Sequence, residues 1–257
     1  MRPQGSSEVK AQFFLFTASA SPTTSEDEEL GALAHLYNHN RIRPPGENVN
    51  AAIYFMASFL DSVIEEDGKY AIAGGCAMKF HGSFRQTFDV DICVDPPPLY
   101  AMLRCPRFIL PSSKLIGAVF RCYLLTGPSY GDSITADRAV KIDLMLNDLF
   151  PPRYRNHIVR GVVDGKESWV LDNQCLLKCK LSAYTDRATE NDYIDIRGLA
   201  FRYYDQIQTY KHSLDLDHIE FFLDEVLVRE SQETVTFLKC VLLPIEPSSP
   251  LQGRPII

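Results

Sequence analysis

The stretch that decides the fold is Gly74-Gly75-Cys76-Ala77-Met78-Lys79-Phe80-His81-Gly82-Ser83-Phe84-Arg85-Gln86-Thr87-Phe88-Asp89-Val90-Asp91. Before it, the short apolar run Lys69 to Ala73 reads as a strand halted by a glycine turn. Ala77 to His81 then predicts a turn or two of helix closed by Gly82, and Phe88 to Val94 alternates as a strand does. Side chains alternate faces along a strand, so Asp89 and Asp91 share one face about 7 Å apart, with Phe88, Val90 and Ile92 on the other. Two carboxylates held side by side repel each other. A divalent cation relieves that repulsion, and an oxygen-only donor set suits Mg²⁺. The competing reading is an edge strand with a solvated acidic face.

Further along, Val140 to Leu146 predicts a strand with a third carboxylate, Asp143, in an otherwise apolar run, and Lys141 on the same face. If this strand lies beside the Asp89 strand, three carboxylates converge, enough for one or two metal ions that hold a triphosphate and activate a hydroxyl. The Gly74-Gly75 turn leaves backbone amides open at a helix start, where a phosphate is stabilised.

Working outward, Asn48 to Ile64 repeats apolar residues at three- and four-residue steps as an amphipathic helix. Pro98 opens a helix toward Arg104, and strands are expected at Ile116 to Leu125, His157 to Val163 and Ser168 to Leu171. After Asp172, a candidate N-cap, the periods become helical: Cys175 to Tyr184, Glu190 to Tyr204, Leu216 to Val228 and Glu233 to Val241. The fold class is α+β, a mixed β-sheet with flanking helices followed by a helical bundle. The expected divisions are a leader at 1–46 with a short helix at Glu28 to Tyr37, a catalytic domain at 47–171, a helical domain closing a cleft at 172–243, and an irregular tail at 244–257.

With 257 residues, 46% of them hydrophobic, the chain can fill a substantial core, and its net charge of −7 argues against a polyanion-coating protein. Seven scattered cysteines fit reduced core thiols and a cytoplasmic location. The spacing of Cys175 and Cys179 has no second Cys/His pair to complete a zinc site. The run Phe13 to Phe16 is too short for a signal peptide, no stretch approaches the length of a membrane span, and no obligate protein partner is evident.

The order Gly-Gly, Asp-x-Asp, later single Asp resembles the polymerase-β-type nucleotidyltransferase superfamily. The fuller string from Gly74 to Ile92 resembles its AbiEii-like, or type IV toxin, branch, as does Leu176-Leu177-Lys178-Cys179-Lys180-Leu181-Ser182-Ala183-Tyr184-Thr185-Asp186-Arg187 followed by Asp192-Tyr193-Ile194-Asp195-Ile196. The matches span about half the chain, from Tyr70 to Leu199. The resemblance implies a nucleotidyltransferase-type sheet and Mg²⁺-dependent transfer of a nucleoside monophosphate from a nucleoside triphosphate to a hydroxyl, with release of pyrophosphate.

Carried over by position, Asp89 and Asp91 bind metal, and Asp143 assists as third carboxylate and general base. Gly74, Gly75 and Cys76 take the phosphates, although many relatives carry Ser where this chain has Cys76. Arg85 and Thr87 match the branch, with Arg85 also suited to pairing with a nearby carboxylate. Lys141 and Lys180 are further nucleotide contacts, Arg187 and Asp192 form the cleft's polar wall, and Asp195 orients neighbours. Lys180 and Arg187 lie two turns apart on one helical face, which is equally the pattern of a solvated flank. His81 is read as structural, and Trp169, Tyr203 and Tyr204 as core or cleft wall. The acceptor is a small molecule or an RNA or tRNA end. A small-molecule enzyme of the antibiotic-modifying kind and a catalytically degenerate binding module remain the alternatives.

Overall fold

The computed structural model describes residues 43–64, 70–94, 98–110, 119–146, 154–163 and 165–244. The helix expected at 28–37, most of the leader and the tail beyond Pro244 lie outside the described residues. Helix α1 (Gly46–Val63) buries the stripe Val49, Ala52, Ile53, Met56 and Leu60 against strands β2 (Asp89–Val94), β4 (Val119–Thr126) and β5 (Arg138–Leu146). Its three- and four-residue repeat makes one continuous apolar face, which the sheet covers.

The sheet also contains β1 (Tyr70–Ala73), β3 (Phe108–Ile109), β6 (Ile158–Val163) and β7 (Lys166–Leu171), in the order β3-β4-β5-β2-β1-β7-β6. It is mixed: β2 runs parallel to β5 and β1 parallel to β7, while the other neighbours are antiparallel. Strand β3 was not expected, because two residues are too few to show a period. Helix α2 (Gly74–Phe80) starts at the first glycine, three residues before the expected Ala77. Gly74 takes φ +55, a left-handed conformation that lets the chain leave β1 and enter the helix without an intervening loop. A short helix α3 (Leu99–Arg104) follows β2.

Helices α4 (Asn173–Arg187), α5 (Glu190–Arg202), α6 (Tyr204–Tyr210), α7 (Leu216–Arg229) and α8 (Gln232–Leu242) form the second half. The Asp172 carboxylate accepts from the Cys175 amide at 2.7 Å, as an N-cap should. The expected single helix from Glu190 to Tyr204 ends at Arg202, and α6, which the sequence reading did not separate, begins after a break at Tyr203. One hydrophobic core runs from Val49 on α1 through the sheet to Val241 and Leu242 on α8, so sheet and helices share their interior. Among the described residues no helix is long and apolar enough to cross a membrane.

Candidate active site

Strands β2 and β5 pair in a parallel register that sets Asp89 beside Lys141 and Asp91 beside Asp143. Neighbouring residues in register point to the same side of the sheet, so all four polar side chains share one face. The Lys141 ammonium lies between two of the carboxylates, 2.8 Å from Asp89 Oδ2 and 3.3 Å from Asp143 Oδ2. From β4, directly opposite Asp143, Arg121 donates through Nε to Oδ1 at 2.8 Å and through a terminal nitrogen to Oδ2 at 3.1 Å. Such a bidentate pair is among the stronger charge-assisted contacts. Arg121 was not anticipated from sequence; its only signal there is a lone charge inside the apolar run Val119 to Leu125.

Three carboxylates thus stand together on adjacent strands, yet among the described residues no three His, Cys, Asp or Glu side chains close around one metal position. Arg121 and Lys141 engage both oxygens of Asp143. Asp91 differs, with no hydrogen bond or ion pair among the described residues. Burial, reinforced by the charges of Asp89 and Asp143, pushes its carboxyl up to about 6. Burial also penalises the Asp89 charge, but hydrogen bonds from Lys141 and Thr87 outweigh it and hold Asp89 below the usual range. Burial penalises the Lys141 charge as well, but Asp89 and Asp143 outweigh it and keep its ammonium above its ordinary value.

The glycine pair makes room for this arrangement. A Cβ on Gly74 would sit 1.9 Å from Asp91 Oδ2, and one on Gly75 would sit 2.7 Å from Thr87 Oγ1 and 2.9 Å from Arg85. Thr87 in turn donates to Asp89 Oδ1 at 3.2 Å. The Cys76 side chain is not brought to the cleft. It is fully buried, its Sγ donates to the Asp89 carbonyl at 3.0 Å, and burial raises its pKa. The thiol therefore pins α2 to β2, leaving only the backbone at this position for a ligand.

Facing the strands, α4 and α5 carry a second set of paired charges. Arg85 grips Asp195 with two hydrogen bonds of 2.6 Å. Lys180 is buried and bridges Asp195 at 2.8 Å and Asp192 at 3.0 Å. Arg187 reaches both oxygens of Asp192 at 2.7 and 3.0 Å, while its side chain stays 58% exposed. Burial penalises the Asp192 charge, but Arg187, Thr189 and Lys180 outweigh it and hold the carboxyl well below the usual range. The two-residue connection from α4 to α5 creates this contact. Ala188 takes φ +45 there, and Thr189 caps α5 by accepting from the Asp192 amide.

Between the two sets lies a cleft of about 360 Å³, lined by Gly75, Arg85, Thr87, Asp89, Asp91, Lys180, Arg187 and Asp192 together with Arg43, Gln86, Phe88, Thr189 and Asn191. Its size is within the range of small-molecule sites. Gly74 meets it through its contact with Asp91, whereas Lys141 and Asp143 flank it without lining it. A larger apolar hollow of about 530 Å³, bounded by Tyr204, Phe237 and Cys240, contains none of these groups. His81 lies outside the cleft, bonded to Tyr203 and to the Leu171 carbonyl.

Among solved structures, an antigenic nucleotidyltransferase-like protein from Paracoccidioides brasiliensis matches over 77% of this chain and 94% of its own, with a TM-score of 0.50. The fold is nucleotidyltransferase-like. Sequence identity in that match is 17%, so the likeness is one of fold. A candidate nucleotidyltransferase from Thermotoga maritima aligns over 59% of this chain and 93% of its own at 13% identity, with a TM-score of 0.36. No protein-family model matches the chain, and no curated protein matches it.

Proposed function

We propose that the cleft binds a nucleoside triphosphate and transfers its nucleoside monophosphate to a hydroxyl acceptor, releasing pyrophosphate. The observation that carries this reading is the pairing of Asp89 and Asp91 on one wall with Lys180 and Arg187 on the other, across a cleft of nucleotide-compatible size. The order of motifs resembling the AbiEii-like branch supports placing the chain there.

The residues fit one divalent cation: Asp91 is an unpaired carboxylate among the described residues, the missing Cβ of Gly74 leaves room for its side chain, and Asp89 lines the same cleft, both offering oxygen donors only. Bound there, magnesium would neutralise phosphate charge and bring the triphosphate to the acidic wall. Arg187, exposed over more than half its side chain, is placed to donate to phosphate oxygens, with Lys180 behind it. Backbone amides at Gly74, Gly75 and Cys76 would be the donors to the phosphates at this edge. Thr87 and Arg85 hold the loop that shapes this edge. In the reaction the acceptor oxygen bonds to the α-phosphorus as the bond to pyrophosphate breaks, and the acceptor's proton passes to solvent water. Asp143, engaged through both oxygens, holds Lys141 in place in this reading and does not take the acceptor proton.

The test is incubation of the protein with each α-labelled nucleoside triphosphate, Mg²⁺ and separate pools of small hydroxyl acceptors and tRNA. Label transferred to one pool, and lost in Asp91→Asn, is the expected result. Absence of both transfer and calorimetric nucleotide binding would overturn the reading.

A further inference from the structure

From the position of the Lys141 ammonium between Asp89 Oδ2 and Asp143 Oδ2, we infer that Lys141 stands in for a second metal ion, so that the site works with a single divalent cation. The inference rests on the reading of the cleft as a metal–nucleotide site and specifies its charge design.

A cation that bridges two carboxylates does so from the space between their oxygens, and in this chain that space holds Lys141 Nζ at 2.8 and 3.3 Å. The placement is built into the sheet, because the parallel register of β2 and β5 sets Lys141 beside Asp89 and Asp143 beside Asp91. Arg121 reinforces it by taking both oxygens of Asp143, at 2.8 and 3.1 Å. Three carboxylates with two fixed cations leave one net negative charge, and the carboxylate without a fixed partner among the described residues is Asp91, which lines the cleft. One divalent ion, arriving with the triphosphate, satisfies that balance. A second would have to displace a tethered ammonium from two carboxylates at once, losing both charge-assisted contacts. A strand-borne ammonium also offers what an exchangeable ion cannot: its position is set before any ligand binds.

The experiment counts ions. The full chain is titrated with Mn²⁺, followed by the electron paramagnetic resonance of free Mn²⁺, with and without an α,β-imido nucleoside triphosphate that blocks transfer. Expected are one Mn²⁺ per chain for the parent with the analogue, two for Lys141→Met, and loss of at least tenfold in Mn²⁺ affinity for Asp91→Asn. Two ions in the parent would overturn the role of Lys141 and leave the nucleotidyl-transfer reading standing, as would a Lys141→Met protein that still binds one. No ion in the parent under either condition would overturn both. Should Lys141→Met fail to fold by circular dichroism, the count in the parent decides alone.

Discussion

Arg85 and Asp195, 110 positions apart in the chain, meet through two hydrogen bonds of 2.6 Å each. Arg85 belongs to the loop that enters β2, and Asp195 lies on α5, so the pair fastens the helical half to the edge of the acidic wall. Asp195 is fully buried and also receives Lys180.

Removing this carboxylate leaves two cations short of a partner in a buried setting, where a broken ion pair typically costs 3–5 kcal/mol. Asp195→Ala is expected to lose about 3 kcal/mol of stability in urea unfolding. A double-mutant cycle with Arg85→Ala should show a clear coupling energy. Additive losses would mean that the two residues act independently.

Asp91 sets a pH dependence of the opposite kind from a salt-bridged carboxylate. Its pKa is raised to about 6, so between about pH 4, where the unfolded group titrates, and pH 6 the native state binds more protons than the unfolded. Its contribution to stability therefore falls as pH rises through that window, and the penalty is complete above it. In metal-free buffer Asp91→Asn should stabilise the protein by on the order of 2 kcal/mol at pH 7.5 and hardly at all at pH 4. Urea unfolding at the two pH values checks this, and a stabilisation independent of pH would refute it.

Gly74→Ala is expected to abolish nucleotide binding. The added methyl meets Asp91 Oδ2 at 1.9 Å, and φ +55 is unfavourable for an L residue by about 1 kcal/mol. Titration calorimetry with a nucleoside triphosphate and Mg²⁺ measures the effect; unchanged affinity would remove the glycine turn from the site.

Ala188 occupies the left-handed region at φ +45 between α4 and α5. Glycine takes that conformation without a Cβ penalty, so Ala188→Gly should raise stability by about 0.5–1 kcal/mol. A lower melting temperature in the variant would contradict the strain argument.

His81 is held in one tautomer by its partners. The Leu171 carbonyl can only accept, so Nε2 carries the hydrogen at 2.8 Å and Nδ1 accepts from the Tyr203 hydroxyl at 2.7 Å. Burial lowers the imidazole pKa below its usual 6.5. The unfolded chain then binds the proton more readily, and stability falls as pH drops below about 6.5. Nitrogen-15 NMR should show a neutral Nε2–H ring at pH 7. An imidazolium signal at that pH would exclude this arrangement.

Much of this site was legible in the chain because it depends on local geometry. The two-residue period of a strand puts Asp89 and Asp91 on one face wherever that strand lies, and the helical repeats from Cys175 onward mark the second half. A glycine pair after an apolar run likewise announces a tight turn. The partnerships among those charges depended on tertiary structure. The register of β2 against β5 brings Lys141 between Asp89 and Asp143, and the pairing of β4 with β5 delivers Arg121 to Asp143. The packing of α4 and α5 against the Arg85 loop places buried Lys180 between Asp192 and Asp195. No periodicity records such contacts. They join residues distant in the chain, and their register is set by the burial of whole strand and helix faces at once, so the charge that each carboxylate meets was decided only when the sheet and the helices came to share one core.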